Sequence, residues 1–191
     1  MNRAIFLDRD GTIIKEVDYL TKNSQIVLIK GAKKALLTFK KLGFLNIVIT
    51  NQSAIARGFL TEKKLFEIHS GLLNLLKFHF IPLIHDIFYC PYHKDGIIEK
   101  FASDSFNRKP NPGLILNAAI KYNIDLSKSF LIGDSYTDMK CAEIAGLKKI
   151  LVLTGYGEEA LIRCTKENLK IECVVNDISE ASKFITKYLE Y

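Results

Sequence analysis

Short β-rich apolar runs alternate with helix-period segments from one end of the chain to the other, with no internal repeat, low-complexity tract or flexible linker between them. This alternation predicts an α/β fold, a doubly wound and mainly parallel sheet covered by helices on both faces. Size agrees: 191 residues, 48% of them hydrophobic, suffice for one domain with a sizeable core, taken as residues 1–191.

The strands expected are 4–8, 44–50, 84–89, 129–133, 149–153 and 171–175. Between the first two, Ala32, Ala35, Leu36, Phe39 and Leu42 share one helix face, which ends at Gly43, a C-cap residue. Thr61 is placed to cap the next helix, read as 61–80, with Leu65, Ile68, Leu72 and Leu76 as its buried stripe. Asn111 followed by Pro112 has the cap-then-proline signature of a helix start, with Ile115, Ala118, Ala119 and Tyr122 facing inward. Segments 136–146, 157–167 and 178–189 supply the remaining helices.

Composition narrows the class of protein. Cys90, Cys141, Cys164 and Cys173 are far apart and form no C-x-x-C pair, which argues against a disulfide framework and for a reducing, cytoplasmic setting. No run approaches the ~20 apolar residues of a membrane span. The N-terminal apolar run is broken by Asp8, so no secretory signal and no membrane partner are expected. The net charge of +6 favours anionic partners, but the lysine pairs Lys33-Lys34, Lys40-Lys41, Lys63-Lys64 and Lys148-Lys149 never join into a long basic run. A phosphate-bearing small molecule suits that charge; a nucleic-acid partner is not expected.

The pentad Asp8-Arg9-Asp10-Gly11-Thr12, directly after Ala4-Ile5-Phe6-Leu7, carries the most chemistry. It sets two carboxylates two residues apart at a strand end, followed by a glycine that lets the backbone turn. A calcium loop would need a helix before it and a bidentate Glu at its twelfth position, where Tyr19 stands. A plain surface turn is the remaining alternative for the pentad taken alone. In a doubly wound sheet, ligands bind outside the carboxyl ends of the strands. Asp8 at the end of the first strand, Thr50 at the end of the second, Lys109 before the third helix and Asp134 after Phe130-Leu131-Ile132 all fall at that rim, and their convergence favours an active site.

Asp8 suits a nucleophile that attacks a phosphate monoester, and Asp10 an acid that protonates the leaving oxygen and later deprotonates water. Mg²⁺ suits oxygen ligands of this kind, with Asp134 as the second carboxylate and Asp138 bracing it from the following helix. Thr50 offers a hydroxyl and an N–H to phosphate, Lys109 a positive charge, and Arg108 a bidentate fork. Asn51, Gln52 and Ser53 supply polar groups for a polyhydroxylated substrate. His69 and His79, within the 61–80 helix, and His85, at a strand start, are assigned solvated or capping roles.

With these residues in place, the chain resembles the haloacid dehalogenase superfamily of phosphotransferases, on the signatures DRDGT at 8–12, Thr50, Lys109 and GDSYTD at 133–138. The segments ITNQSAIARG at 49–58, CPYH at 90–93 and RKPNPG at 108–113 are similar to the subgroup of heptose bisphosphate and histidinol phosphatases, and TNQS-x-I-A-R-G leans to the heptose side. The resemblance implies a HAD-like Rossmannoid fold and a phosphomonoesterase working through an aspartyl-phosphate. It implies Mg²⁺ on the Asp8 carboxylate, the Asp10 carbonyl and Asp134, and a sugar phosphate contacted by Gly11, Thr12, Tyr19, Thr50 to Ser53, Arg57, Arg108 and Lys109. No insertion is long enough for a large cap domain, so selectivity is assigned to loops 13–29, 51–59 and 90–108, and a monomer is expected. Relatives in the subgroup often carry a zinc loop. Here Tyr92 replaces a histidine ligand and Ser105 and Asn107 replace a cysteine pair, so even with Cys90 and His93 the donors are too few and zinc is not expected. Packing of Tyr92, Phe101 and Phe106 is expected to hold that loop. Ser135 departs from the lysine that heptose enzymes can carry there. Histidinol phosphatase, a nucleic-acid 3′-phosphatase and a non-enzymatic phosphate-binding regulator are the alternative readings.

Overall fold

Arg3–Leu7 forms the first strand, β1, and its unbroken apolar run explains its place at the centre of the sheet. Ala4 and Phe6 join one buried cluster and Ile5 and Leu7 the other, because successive side chains point to opposite faces. A strand apolar on both faces must be covered on both. The computed structural model describes residues 1–190. After β1 come α1 (Ala32–Lys41), β2 (Phe44–Asn51), the short α2 (Ser53–Ala56), α3 (Glu62–Leu75), β3 (Lys77–Phe78), β4 (Ile81–Pro82) and β5 (Asp86–Cys90). The second half runs α4 (Gly113–Tyr122), β6 (Phe130–Gly133), α5 (Tyr136–Ala145), β7 (Lys148–Val152), α6 (Gly157–Lys166), β8 (Cys173–Val175) and α7 (Ile178–Tyr188).

The main sheet has the order β5-β2-β1-β6-β7-β8, and every neighbouring pair is parallel. The chain therefore works outward from β1 through β2 to β5, then returns to the other side of β1 with β6. That reversal opens a crevice beyond the carboxyl ends of β1 and β6. Helices α1, α3 and α7 pack on the Ile5 and Leu7 face, and α4, α5 and α6 on the opposite face. Among the described residues, no segment forms a large cap.

All six expected strands are present, but three helix details differ. The helix read as 61–80 ends at Leu75, and β3 and β4 pair as a small antiparallel hairpin, turning through His79 and Phe80 with φ of 44° and 66°. The helix cannot run on to residue 80, since His79 and Phe80 have left-handed φ and Pro82 disfavours helical backbone at Ile81 just before it. Thr61 caps α3 as expected, its hydroxyl accepting from the Lys64 N–H at 3.2 Å. Asn111 does not cap α4; its amide donates to the Ser105 carbonyl and the helix begins at Gly113. The short α2 lay unforeseen in loop 51–59.

Candidate active site

β1 delivers Asp8 to the crevice because the sheet ladder continues one residue past the strand, with the Asp8 N–H donating to the Ile132 carbonyl of β6 at 3.0 Å. Its Oδ1 accepts from the Arg9 N–H at 2.7 Å and lies 2.9 Å from Lys109 Nζ. Lys109 comes from the loop before α4 and is pinned to the end of β2. Its N–H donates to Asn51 Oδ1 at 3.0 Å, and its carbonyl accepts from Asn51 Nδ2 at 3.1 Å. From there Nζ reaches the Ile49 carbonyl at 3.0 Å and Asp138 Oδ1 at 2.6 Å. Burial disfavours the ammonium, but Asp138 and Asp8 outweigh it and hold Lys109 charged, above its ordinary range.

Asp138 is placed by a capping box: the Ser135 hydroxyl accepts the Asp138 N–H at 3.2 Å, while Asp138 Oδ2 accepts the Ser135 N–H at 3.1 Å. Both Asp138 oxygens are thereby engaged inside the protein. Asp134, at the end of β6, is packed between two glycines. A Cβ on Gly11 or on Gly155 would fall 1.9 Å from Asp134 Oδ2, and both glycines have positive φ. The same oxygen accepts the Tyr156 N–H at 2.9 Å.

Asp8, Asp134 and Asp138 offer carboxylate oxygens within 4.8 Å of one another. With Asp138 committed to Lys109 and Ser135, the remaining ligand capacity belongs to Asp8 and Asp134. Three clustered carboxylates share one ammonium, so the site carries a negative surplus that suits a hard divalent cation. The surplus shows in the acids: burial first, then neighbouring carboxylates, pushes Asp8 and Asp134 well above the usual range.

The second pentad carboxylate, Asp10, belongs to a separate network. Arg9, 1% exposed, closes a fork on it, with Nη2 2.8 Å from Oδ2 and Nε 3.1 Å from both oxygens. Gln52 joins by accepting from Arg9 Nη2 at 3.1 Å, while its Nε2 donates to the Thr50 hydroxyl at 2.8 Å and to Asp10 Oδ2 at 3.3 Å. His69 is buried, and neither solvated nor capping as expected; its Nε2 lies 3.3 Å from Arg9 Nη1. Burial and the nearby guanidinium push its imidazole down to about 3.

Above these groups lies a cavity of about 190 Å³, lined from the predicted set by Asp8, Asp10, Tyr19, Thr50, Asn51, Gln52, Ser53, Lys109 and Asp134. Asn51 and Gln52 stand at its wall with their amides already bonded to protein atoms. Gly11 and Thr12 do not line it: Gly11 makes room for Asp134, and Thr12 is wholly buried. Arg57 and Arg108 lie outside it as well. Arg108 Nη1 donates to the Tyr92 carbonyl at 3.1 Å, and Arg57 Nη2 lies 3.5 Å from His93 Nε2. Loop 13–29 covers the cavity by folding back on itself, Lys15 N–H to Val27 carbonyl at 2.8 Å and Ile29 N–H to Ile13 carbonyl at 2.9 Å. This carries Glu16, Asp18 and Tyr19 to the wall, and Tyr19 packs on Phe59 with centroids 4.7 Å apart. Glu16 is pushed up to about 7, by burial first and then by Asp10 and Asp8.

Loop 90–108 contributes nothing to the cavity lining. Tyr92 packs edge-on to Phe101 at 5.7 Å as expected, but Phe106 is exposed and packs on neither. In its place, Gly113 donates to the Phe106 carbonyl and Asn107 to the Ser105 hydroxyl. The residues that sequence reasoning missed are Arg9, Glu16, Asp18, Ser135, Thr137 and Tyr156. Tyr156 was within reach of the same logic, since Thr154-Gly155-Tyr156 follows a predicted strand at the same rim.

Known proteins resemble this chain over most of its length. A protein-family model described as HAD-hydrolase-like matches residues 106–181. The chain is 40% identical over 155 residues to a D-glycero-alpha-D-manno-heptose-1,7-bisphosphate 7-phosphatase of Photorhabdus laumondii, covering 81% of this chain and 84% of that protein. It is 39% identical over 153 residues to a D-glycero-beta-D-manno-heptose-1,7-bisphosphate 7-phosphatase of Escherichia coli K12, covering 80% of each. The crystal structure of a D,D-heptose 1,7-bisphosphate phosphatase from B. bronchiseptica, complexed with magnesium and phosphate, superposes with a TM-score of 0.84 at 26% identity, covering 97% of this chain and 99% of that one.

Proposed function

The chain belongs to the haloacid dehalogenase-like phosphatases, in the family of the heptose-1,7-bisphosphate 7-phosphatases, and from that premise we propose that it removes the 7-phosphate of D-glycero-D-manno-heptose 1,7-bisphosphate. The observation that carries the chemistry is the division of the two pentad carboxylates: Asp8 is held by Lys109, Asp10 by Arg9, and both face one cavity. Asp8 attacks phosphorus, the bond from phosphorus to the leaving oxygen breaks, and Asp10 delivers its proton to that oxygen. Water then attacks the aspartyl-phosphate, Asp10 takes the proton, and the Asp8–phosphate bond opens to release inorganic phosphate. Thr50 offers its hydroxyl and N–H to the transferring phosphoryl group, and Lys109 offsets the charge that develops there. Asp138 keeps Lys109 in place. Asp8, Asp134 and the Asp10 carbonyl would hold Mg²⁺, which when bound screens the Asp8 charge from the substrate's own.

A second phosphate distinguishes a sugar bisphosphate from a monophosphate. Arg57 follows Ser53 and Ala54 of the cavity wall at the end of α2, Arg108 directly precedes Lys109, and among the described residues the buried Arg57 Nε has no partner. A second phosphate that displaced their present contacts to His93 and Tyr92 would supply an acceptor for both guanidinium groups. Histidinol phosphate offers a cationic amine and an imidazole instead, leaving those donors unpaired at about 1–3 kcal/mol each. The test is a side-by-side assay with heptose 1,7-bisphosphate, histidinol phosphate and a 3′-phosphorylated oligonucleotide. A kcat/KM for the heptose substrate at least roughly tenfold above the others, with release from position 7, is expected. Equal or better turnover of either competitor overturns the substrate assignment while leaving the phosphatase chemistry in place.

A further inference from the structure

Arg9 is the largest fully buried side chain among the described residues, and its charge has so far served only to hold Asp10. Its fork grips both Asp10 oxygens, so the tilt of the guanidinium sets the plane of the Asp10 carboxyl group. Two groups set that tilt in turn: Gln52 Oε1 at 3.1 Å from Nη2 and His69 Nε2 at 3.3 Å from Nη1. Arg9 has donors only, so His69 Nε2 must present its lone pair and carry no proton. The depressed imidazole agrees, since a ring driven down to about 3 is neutral at physiological pH. A buried neutral histidine therefore supplies the acceptor for the far corner of the fork.

We propose that His69 is a positioning residue for the proton transfers assigned to Asp10, acting through the buried Arg9 guanidinium. This rests on the acid–base reading of Asp10 given above. Without His69, Arg9 Nη1 is left in the interior with no acceptor, at a cost the fork relieves by rotating toward another one. Asp10, held by the same fork, turns with it. Proton delivery depends on hydrogen-bond-length placement of the acid against the leaving oxygen, so that rotation weakens acid catalysis while leaving Asp8, Lys109 and Asp134 in place.

The leaving group separates this role from a merely structural one. An alkyl phosphate needs a proton on its departing oxygen, whereas 4-nitrophenolate departs without one. kcat/KM reports the steps up to that departure and excludes hydrolysis of the aspartyl-phosphate. His69→Leu is expected to lower kcat/KM for an alkyl phosphate at least roughly tenfold while changing that for 4-nitrophenyl phosphate no more than about twofold. His69→Gln, whose side-chain carbonyl restores an acceptor, is expected to recover most of the loss. Arg9→Lys, which keeps the charge but loses the fork, should repeat the selective defect and serves in place of His69→Leu should that variant not fold. Asp10→Asn is measured alongside. If Asp10→Asn is selective for the alkyl substrate and His69→Leu lowers both substrates equally or neither, the positioning role is overturned and the reading of Asp10 stands. If Asp10→Asn itself shows no selectivity, the reading of Asp10 and this inference fall together.

Discussion

The floor of the cavity and its rim are held in different ways. On the floor, the side chains of Asp8, Lys109, Asp134 and Asp138 are each tied to backbone groups at strand ends or a helix start, through bonds of 2.7–3.1 Å. At the rim, Tyr19 rests on Phe59 and is 37% exposed, while Arg57 and Arg108 lie beyond the cavity wall on loop atoms. Bond-making and bond-breaking demand sub-ångström placement, which rigid elements provide. Recognition tolerates more movement, and loops carry it. Substitutions on the floor should therefore change whether the reaction occurs, and substitutions at the rim should change which substrate is taken.

Asp8→Asn should have the largest effect. An amide cannot accept the phosphoryl group, so steady-state turnover should fall by roughly 10⁴-fold or more. The fold should survive, because the substitution removes one charge from a cluster that holds too many. A melting temperature equal to or above that of the parent, beside lost activity, would separate chemistry from stability. Near-normal hydrolysis by a verified, non-deamidated variant would break the distinction between floor and rim at its strongest point.

Gly11→Ala tests whether the floor has slack. The added methyl would overlap Asp134 Oδ2 at 1.9 Å, at a backbone φ of +70° that a side chain disfavours. Displacing Asp134 should raise the Mg²⁺ concentration needed for half-maximal activity, and the strain should cost about 1–3 kcal/mol of stability. Unchanged metal dependence would mean that Asp134 can move without consequence. At the rim, Arg57→Ala and Arg108→Ala should each lower kcat/KM roughly tenfold for the heptose bisphosphate while sparing a heptose monophosphate. A loss equal for both substrates would move these arginines into the reaction itself.

The same division decides what was legible in the sequence. All six strands of the main sheet were visible as apolar runs, and Asp8, Thr50 and Asp134 followed from strand ends alone, because a strand end fixes its next residue in space. Lys109 was placed correctly although its partners come from β2 and α5, since the loop before α4 returns to the same rim. The wall was less legible. Glu16 and Asp18 face the cavity only because loop 13–29 closes on itself through backbone bonds that no side-chain pattern announces. Asn51 and Gln52 carried the right chemistry for substrate, but their amides bond within the protein. The end of α3 was misplaced because the apolar stripe through Leu76 runs on past the last helical residue, and only Pro82 hints at the hairpin. His69 sits in that same stripe, and burial turned an apparent surface residue into part of the Asp10 network.

His69 also yields an effect that vanishes at neutral pH. Its imidazole is neutral in the folded protein, driven to about 3, but titrates near its ordinary value of 6.5 when unfolded. Between those values the unfolded chain binds more protons, so the contribution to stability is complete above pH 6.5 and is lost as pH falls toward 3. The floor runs the other way. Asp8 and Asp134, pushed above their ordinary values, are relieved as pH falls, so the parent's own pH profile mixes two opposing trends. The difference between the parent and His69→Gln removes the shared carboxylate contribution, because both proteins keep the floor. Urea unfolding at pH 7, 6, 5 and 4.5 should therefore show the parent losing stability relative to His69→Gln by up to about 1.4 kcal/mol per pH unit below 6.5, with a constant offset above it. A difference that stays flat over the whole range would mean that His69 takes up a proton as readily in the folded state as in the unfolded one. Below pH 6.5 its Nε2 could then accept nothing from Arg9, and the fork on Asp10 would have to be held by Gln52 alone.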